Sequence, residues 1–146
     1  MRSFGKTIFR SPEECAAYLS SKRRNVVPSL TTGLTAAAHM VENDSKAKIG
    51  NDGGWPPLAA STLSDKEKKG FAVPAPLLRT GAMRDSISSE IEGLEAQVGS
   101  DSMVAVWQEL GTSKGIPPRS FLESTAVQDE EKVVEMIAEA LLAGIL

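Results

Sequence analysis

Ile87-Ser88-Ser89-Glu90-Ile91-Glu92-Gly93-Leu94-Glu95-Ala96-Gln97-Val98 is the stretch on which the fold class turns. Ile87, Ser89 and Ile91 alternate with Ser88, Glu90 and Glu92, the period-2 pattern of a half-buried strand. Gly93 punctuates, and Leu94, Ala96 and Val98 alternate with Glu95 and Gln97 as the return strand of a hairpin. Gly99-Ser100-Asp101-Ser102 reads as a turn. A hairpin set among helical segments predicts an α+β fold: N-terminal helices, a small antiparallel β-sheet with a long proline-rich loop, and a C-terminal helix packed on the sheet.

Just upstream, Thr80-Gly81 reads as an N-cap opening a single helical turn that ends near Ser86. Before that, Gly50 to Pro76 is irregular. Half of the chain's eight prolines (Pro56, Pro57, Pro74 and Pro76) fall there, and proline both ends helices and cannot donate to a sheet ladder. One helical turn is expected from Ser64 to Lys69. Two readings stay open for this loop: an arm that orders against a partner, or a surface loop pinned by Trp55. Asp52-Gly53-Gly54 lacks the spacing of a calcium loop and the Gly-Lys-Ser/Thr of a phosphate loop, so it reads as a turn.

The N-terminal part reads as two helices. Ser11-Pro12-Glu13-Glu14 supplies an N-cap, a proline at N1 and a capping-box glutamate at N3. Cys15, Tyr18 and Leu19 share one face of this first helix. It is expected to stop before Pro28, because the residue before proline avoids helical angles. A second helix is expected from about Ser29 to Lys48, with Leu30, Leu34, Ala37, Ala38, Val41 and Ser45 in its buried stripe. Gly33 in its interior costs about 1 kcal/mol relative to alanine. His39 falls on the opposite, solvated side.

Downstream of the hairpin, Met103 to Leu110 is compatible with a strand or with a helical segment burying Val104 and Trp107. Gly111 ends it either way. Gly115-Ile116-Pro117-Pro118-Arg119 is extended, because two prolines in series forbid a regular helix or an interior strand. The last helix is expected from about Ser124 to Leu142, with Val127, Val133 or Val134, Ile137 and Leu141 as its apolar stripe. Glu131, Glu135 and Glu139 line the other face as a solvated acidic row. The apolar tail from Ala140 to Leu146 suits core packing or a subunit contact. The chain is thus one domain, residues 1–146: a helical part (1–49), the long loop or arm (50–76), the hairpin and motif region (77–123) and the C-terminal helix (124–146).

Composition narrows the function. The chain has 146 residues, 16 Lys+Arg against 19 Asp+Glu and a formal net charge of -3, so it is not built as a bulk nucleic-acid binder. No apolar run approaches the roughly 20 residues that span a bilayer, so no membrane role is expected. The first residues lack the apolar core of a secretory signal. One cysteine, Cys15, forms no internal disulfide, and one histidine with one cysteine makes a zinc site improbable. No G-x-S-x-G, H-E-x-x-H or C-x-x-C occurs. No enzyme activity, catalytic residue, metal or cofactor is expected. The rival from another class is a small hydrolase or nuclease working through its carboxylates, and a second is a host adaptor domain with one protein partner.

Five pieces in order then suggest a family. They are Trp55-Pro56-Pro57-Leu58 with Thr62 and Lys66; Pro76-Leu77-Leu78-Arg79-Thr80-Gly81-Ala82-Met83 to Ser86; Val98-Gly99-Ser100; Ala105-Val106-Trp107-Gln108-Glu109-Leu110-Gly111-Thr112; and Ile116-Pro117-Pro118-Arg119-Ser120-Phe121-Leu122. Over about half the chain this pattern resembles the tailed-bacteriophage tail-completion and neck proteins, the head–tail joining or virion morphogenesis group. Met83 stands in place of the family's leucine, Val104 in place of a tyrosine, and Ser120 in place of a proline, which is expected to loosen that corner. The resemblance implies a structural, ring-forming connector subunit that joins head and tail or completes the tail, with a minor tail protein as the alternative role. It implies other copies of the chain and neighbouring phage connector and tail proteins as partners, and incidental contact of Lys22-Arg23-Arg24 with packaged DNA. It places the chain in the virion, and in the bacterial cytoplasm before assembly. The motif or interface candidates are Trp55, Leu78, Thr80, Gly81, Trp107, Glu109, Gly111, Thr112, Pro117, Arg119, Phe121 and Leu122. Arg119 is read either as an internal clamp or as a bidentate bridge to a carboxylate across a ring.

Overall fold

A computed structural model describes residues 8–146. The reading of the first residues as no secretory signal rests partly on residues 1–7, which lie outside the described residues. The elements are α1 (Pro12–Lys48), α2 (Ala60–Lys68), α3 (Ala82–Asp85), β1 (Ile87–Glu92), β2 (Glu95–Ser100), α4 (Met103–Leu110) and α5 (Glu123–Ile145). The fold is α+β, as the alternation at Ile87 predicts.

β1 and β2 pair antiparallel, from Ile87 opposite Ser100 to Glu92 opposite Glu95. Ile87, Ser89 and Ile91 point inward and their neighbours outward. The turn is Gly93-Leu94, with Gly93 at φ 60°, the conformation a two-residue hairpin asks of its first residue. Leu94 therefore belongs to the turn and faces solvent. Gly99 and Ser100, expected as a turn, complete β2 instead, because the tight turn lets pairing run on to the start of α4.

α1 is one helix of 37 residues, not two. Ser11 accepts from the Glu14 N–H at 3.2 Å, and Glu14 reaches back to the Arg10 N–H at 2.7 Å. Pro28 lies inside the helix, where it removes an N–H and costs about 3 kcal/mol. Two features offset this. Arg24 and Pro28 face solvent, so the carbonyl left without its N–H is on the wet side. On the other side the end of α5 braces the turn: Gly144 fits against Val26, Ser29 and the Asn25 carbonyl.

α5 lies along α1, and α1 lies against both strands. The C-terminal helix also meets the sheet through its start, where Phe121 and Leu122 join Ile87 and Val98 in the core. Antiparallel register is fixed at both ends: Lys48 Nζ donates to Ser124 Oγ at 2.9 Å, and Lys22 Nζ to the Leu146 carbonyl at 3.2 Å. Between these ends the helices touch through small residues. A Cβ on Gly33 would overlap that of Ala140. The glycine that weakens α1 as an isolated helix is what lets α5 approach.

The face α5 buries differs from the expected stripe. Thr125, Asp129 and Gly144 are buried, whereas Val127 is 68% and Val134 61% exposed. The closest approach selects small side chains, so the larger apolar ones are turned outward. Asp129 is buried in this seam with one carboxyl oxygen unpartnered among the described residues, as is the Ser45 hydroxyl. Burial, and then the nearby Asp44 carboxylate, push the Asp129 carboxyl above its ordinary range, against weaker pulls from Lys132 and Lys48.

Two outcomes follow for the seam. Gly33→Ala is expected to destabilise by about 2 kcal/mol through overpacking, and Ala140→Gly in the same chain to restore most of it; additive urea midpoints would refute the contact. Asp129 binds its proton more tightly folded than unfolded, so stability falls as pH rises above 3.8. Asp129→Asn should therefore be the more stable protein near pH 8, with the gap closing below about pH 4. A pH-independent gap would contradict this.

Candidate functional site

Three of the motif pieces meet at one junction where α4, the Pro117-Pro118 strip, the tryptophan loop and the start of α5 come together. α5 begins without a cap of its own, since Leu122 stands at the N-cap. Glu109, on the last turn of α4, supplies one from elsewhere in the chain. Its carboxylate accepts from the N–H groups of Phe121 (2.8 Å), Leu122 (3.0 Å) and Glu123 (2.9 Å) and from the Ser120 hydroxyl (2.8 Å). The Glu123 N–H is one of the donors a helix leaves orphaned, and a negative charge at this end complements the helix dipole. Burial pushes the Glu109 carboxyl up, but the Glu123, Leu122 and Phe121 N–H groups and the Ser120 hydroxyl outweigh it and hold it below its ordinary range.

Arg119 is buried and clamps the loop. Its guanidinium donates to the Pro56 carbonyl from Nη2 (3.1 Å) and Nε (3.3 Å) and to the Pro57 carbonyl (3.4 Å), and its backbone N–H donates to the Gln108 carbonyl at 2.6 Å. It is the internal clamp, and its partners are carbonyls rather than a carboxylate. Trp55 packs on the core and donates from Nε1 to the Ser120 carbonyl at 3.3 Å. Ser120 also accepts from the Ser124 N–H through its hydroxyl, so this serine tightens the corner it was expected to loosen.

Gly111 ends α4 at φ 74°, where a Cβ would stand 2.8 Å from the Ile116 carbonyl and 3.0 Å from Pro118. Thr112 exchanges two hydrogen bonds with Ile116, N–H to carbonyl at 2.9 Å and hydroxyl from N–H at 3.3 Å. Pro117 is half-buried beside them. Phe121 is fully buried, and Leu78 and Leu122 pack around it.

The remaining candidates stand elsewhere. Thr80 and Gly81 start α3: the Thr80 hydroxyl accepts from the Ala82 N–H at 3.3 Å, and Gly81 takes φ 89°. Trp107 is 46% exposed on α4, and Val104 is exposed too. Met103–Leu110 is a helix, but only its Ala105 is buried, because the short helix is held at its C-terminal end by Glu109 and Gln108 rather than by its large side chains.

The long loop is fastened along its length, and α2 is longer than the single turn expected. Lys66 stands in the first motif piece but not among the site candidates, because it sits in the charge cluster from Asp65 to Lys69. It is buried, and its ammonium donates to the carbonyls of Pro74 (3.1 Å), Ala75 (2.7 Å) and Leu78 (2.9 Å). It thus gathers a turn in which Ala75 and Leu77 take positive φ, a strain of order 1–3 kcal/mol per residue. Burial, and then Arg79, push the Lys66 ammonium down. Between α2 and α4 runs a cleft of about 570 Å³ walled by Leu58, Leu78, Val104 and Ile116. The two buried cations in its wall, Lys66 and Arg119, are both engaged with main-chain carbonyls.

No family model, curated protein or solved structure matches the chain. Among the described residues, no group of three or more His, Cys, Asp or Glu could hold a metal ion, and no helix is long and apolar enough to cross a membrane.

Glu109→Ala is expected to cost about 3 kcal/mol, because it leaves half-buried donors unpaired. Glu109→Gln should cost nearly as much, since its NH₂ faces N–H groups. The carboxyl is the stronger acid when folded, so its contribution is present above pH 4.5 and is lost as pH falls below that value. Thermal melts from pH 7 down to about pH 3 should show the wild type converging on Glu109→Gln; parallel curves would refute the cap.

Proposed function

We propose that this chain is a structural component of a tailed phage or prophage particle, a ring-forming connector subunit that joins head and tail or completes the tail. The observation that carries the reading is the junction itself. Trp55, Glu109, Gly111, Arg119 and Phe121 come from three separate motif pieces, and each serves to fasten one piece to another. A pattern whose members hold a fold together marks a scaffold. The clamps also present large apolar side chains on α4 and α5 to the outside, as a subunit built for contact requires.

In this reading the chain is not an enzyme. Glu109 is occupied in capping α5, and Asp129, although it stands beside Asp44 with one oxygen unpartnered among the described residues, is shut into the seam between α1 and α5. A hydrolase or nuclease would instead need paired acids facing a cleft. The partners are other copies of the chain and the adjoining connector and tail proteins. The place of work is the virion, reached from the bacterial cytoplasm.

The test is deletion of the gene from its phage or lysogen, followed by induction and electron microscopy of the lysate. Full heads separated from tails are expected. Normal infectious particles would overturn the reading.

A further inference from the structure

α1 is much longer than the helix that covers it. At about 1.5 Å per residue, its 37 residues run about 55 Å, against about 35 Å for the 23 residues of α5. The register set by Lys48–Ser124 and Lys22–Leu146 puts the excess at one end. Residues 12–21 of α1 project past the last residue of α5. Leu19 stands seven residues before Val26, on the line that α5 covers farther along, and Cys15 shares that line. In the projection it has no cover from α5, and Leu19 is 60% exposed. Lys22, Arg23 and Arg24 follow. Arg23 and Arg24 are exposed and make no ion pair among the described residues.

α5 carries the opposite character on its outer side. Val127, Val134 and Leu141 recur every seven residues on the face away from α1, and all three are exposed. Glu130, Glu131 and Glu135 flank them, exposed and without an ion pair among the described residues. Two such faces from two copies would set acids against acids, so α5 does not pair with itself. The stripe from Val127 to Leu141 is about 21 Å long, enough to take the projecting residues 12–21 of α1, which run about 15 Å at the same rise.

We propose that the projecting N-terminal end of α1 in one copy packs on the outer face of α5 in the next, Leu19 against the Val127–Val134–Leu141 stripe and Arg23 and Arg24 against Glu130, Glu131 and Glu135. The donor and acceptor surfaces differ, so the contact is of the head-to-tail kind that closes rings. The occupant is a second copy because the uncovered Leu19 of one surface finds an exposed apolar stripe on the other, and the unpaired charges of the two surfaces are opposite in sign. The contact names the ring interface of the proposed function and rests on that reading for its biological use. One helix-on-helix contact of this length is at the low end of stable interfaces, so association is concentration- and salt-dependent.

The test uses the full chain with Cys15→Ser as background. Leu19→Cys and Val134→Cys together should give a disulfide ladder under mild oxidation, and neither alone should give a linked dimer. Arg23→Glu with Arg24→Glu should weaken association at least about tenfold by sedimentation. Adding Glu131→Arg and Glu135→Arg should restore it, which a folding defect would not allow. Absence of the ladder at every concentration, a disulfide-linked dimer from Val134→Cys alone, or indifference to the charge reversal would each overturn the contact. A doubly linked closed dimer would support the contact and overturn the ring reading. Loss of the contact with intact head–tail failure on gene deletion would overturn the contact alone.

Discussion

A single carboxylate organises the second half of this chain. The N-cap residue of α5 is a leucine, whose side chain receives none of the helix's first N–H groups. Glu109 receives the N–H of Glu123, the first residue of α5, those of Phe121 and Leu122 just before it, and the Ser120 hydroxyl. Because Glu109 belongs to α4, capping α5 also sets where α4 stands. The strip between them must then span a short distance, which Gly111 makes possible by its close approach to Ile116 and Pro118. Once Pro118 is in place, Arg119 follows directly and points into the Pro56-Pro57 loop. The tryptophan loop is therefore positioned by a chain of polar contacts that starts at one half-buried acid.

Those contacts matter because the apolar core is small. The fully buried apolar side chains among the described residues are Ala37, Ala38, Ile49, Ile87, Ala105 and Phe121, three of them alanines. Burying an alanine brings far less than burying an isoleucine or phenylalanine. Buried groups such as Lys66 and Arg119 do the connecting instead, each with its donors matched to main-chain carbonyls. A buried cation with all its partners supplied costs little net, and one without them costs several kcal/mol, on the order found when one half of a buried pair is removed. The arrangement trades hydrophobic depth for geometric definition.

The hairpin and the caps were legible from local pattern. Alternation at Ile87 to Ile91 needs only a sheet face to bury, and Ser11-Pro12-Glu13-Glu14 needs only the helix it starts. Three features were not legible, each for a long-range reason. Pro28 reads as a helix end until Gly144 of α5 is seen bracing that turn. The apolar period of α5 is present at Val127, Val134 and Leu141, but the intrachain partner chose the small residues beside it. Ser120 reads as a loosened corner until its hydroxyl is seen facing Glu109. At the junction, the order of the motif pieces pointed to Trp55, Glu109 and Arg119, while composition hid Lys66 in a charged run.

The outward turn of α5 has a structural logic. A helix pair can pack at close range through small residues or at longer range through large ones, but one face cannot do both. Gly33, Ala140 and Gly144 commit α1 and α5 to close range. Every large apolar residue that α5 carries at the Val127 period is thereby left on the far side, next to an acidic row. In a chain meant to remain single, such a stripe would be a liability, and polar substitutions there would leave the seam with α1 untouched. The small-residue seam leaves the stripe uncovered by α1, and the first turns of α1 project beyond that seam. The two surfaces of the proposed contact thus follow from one packing choice.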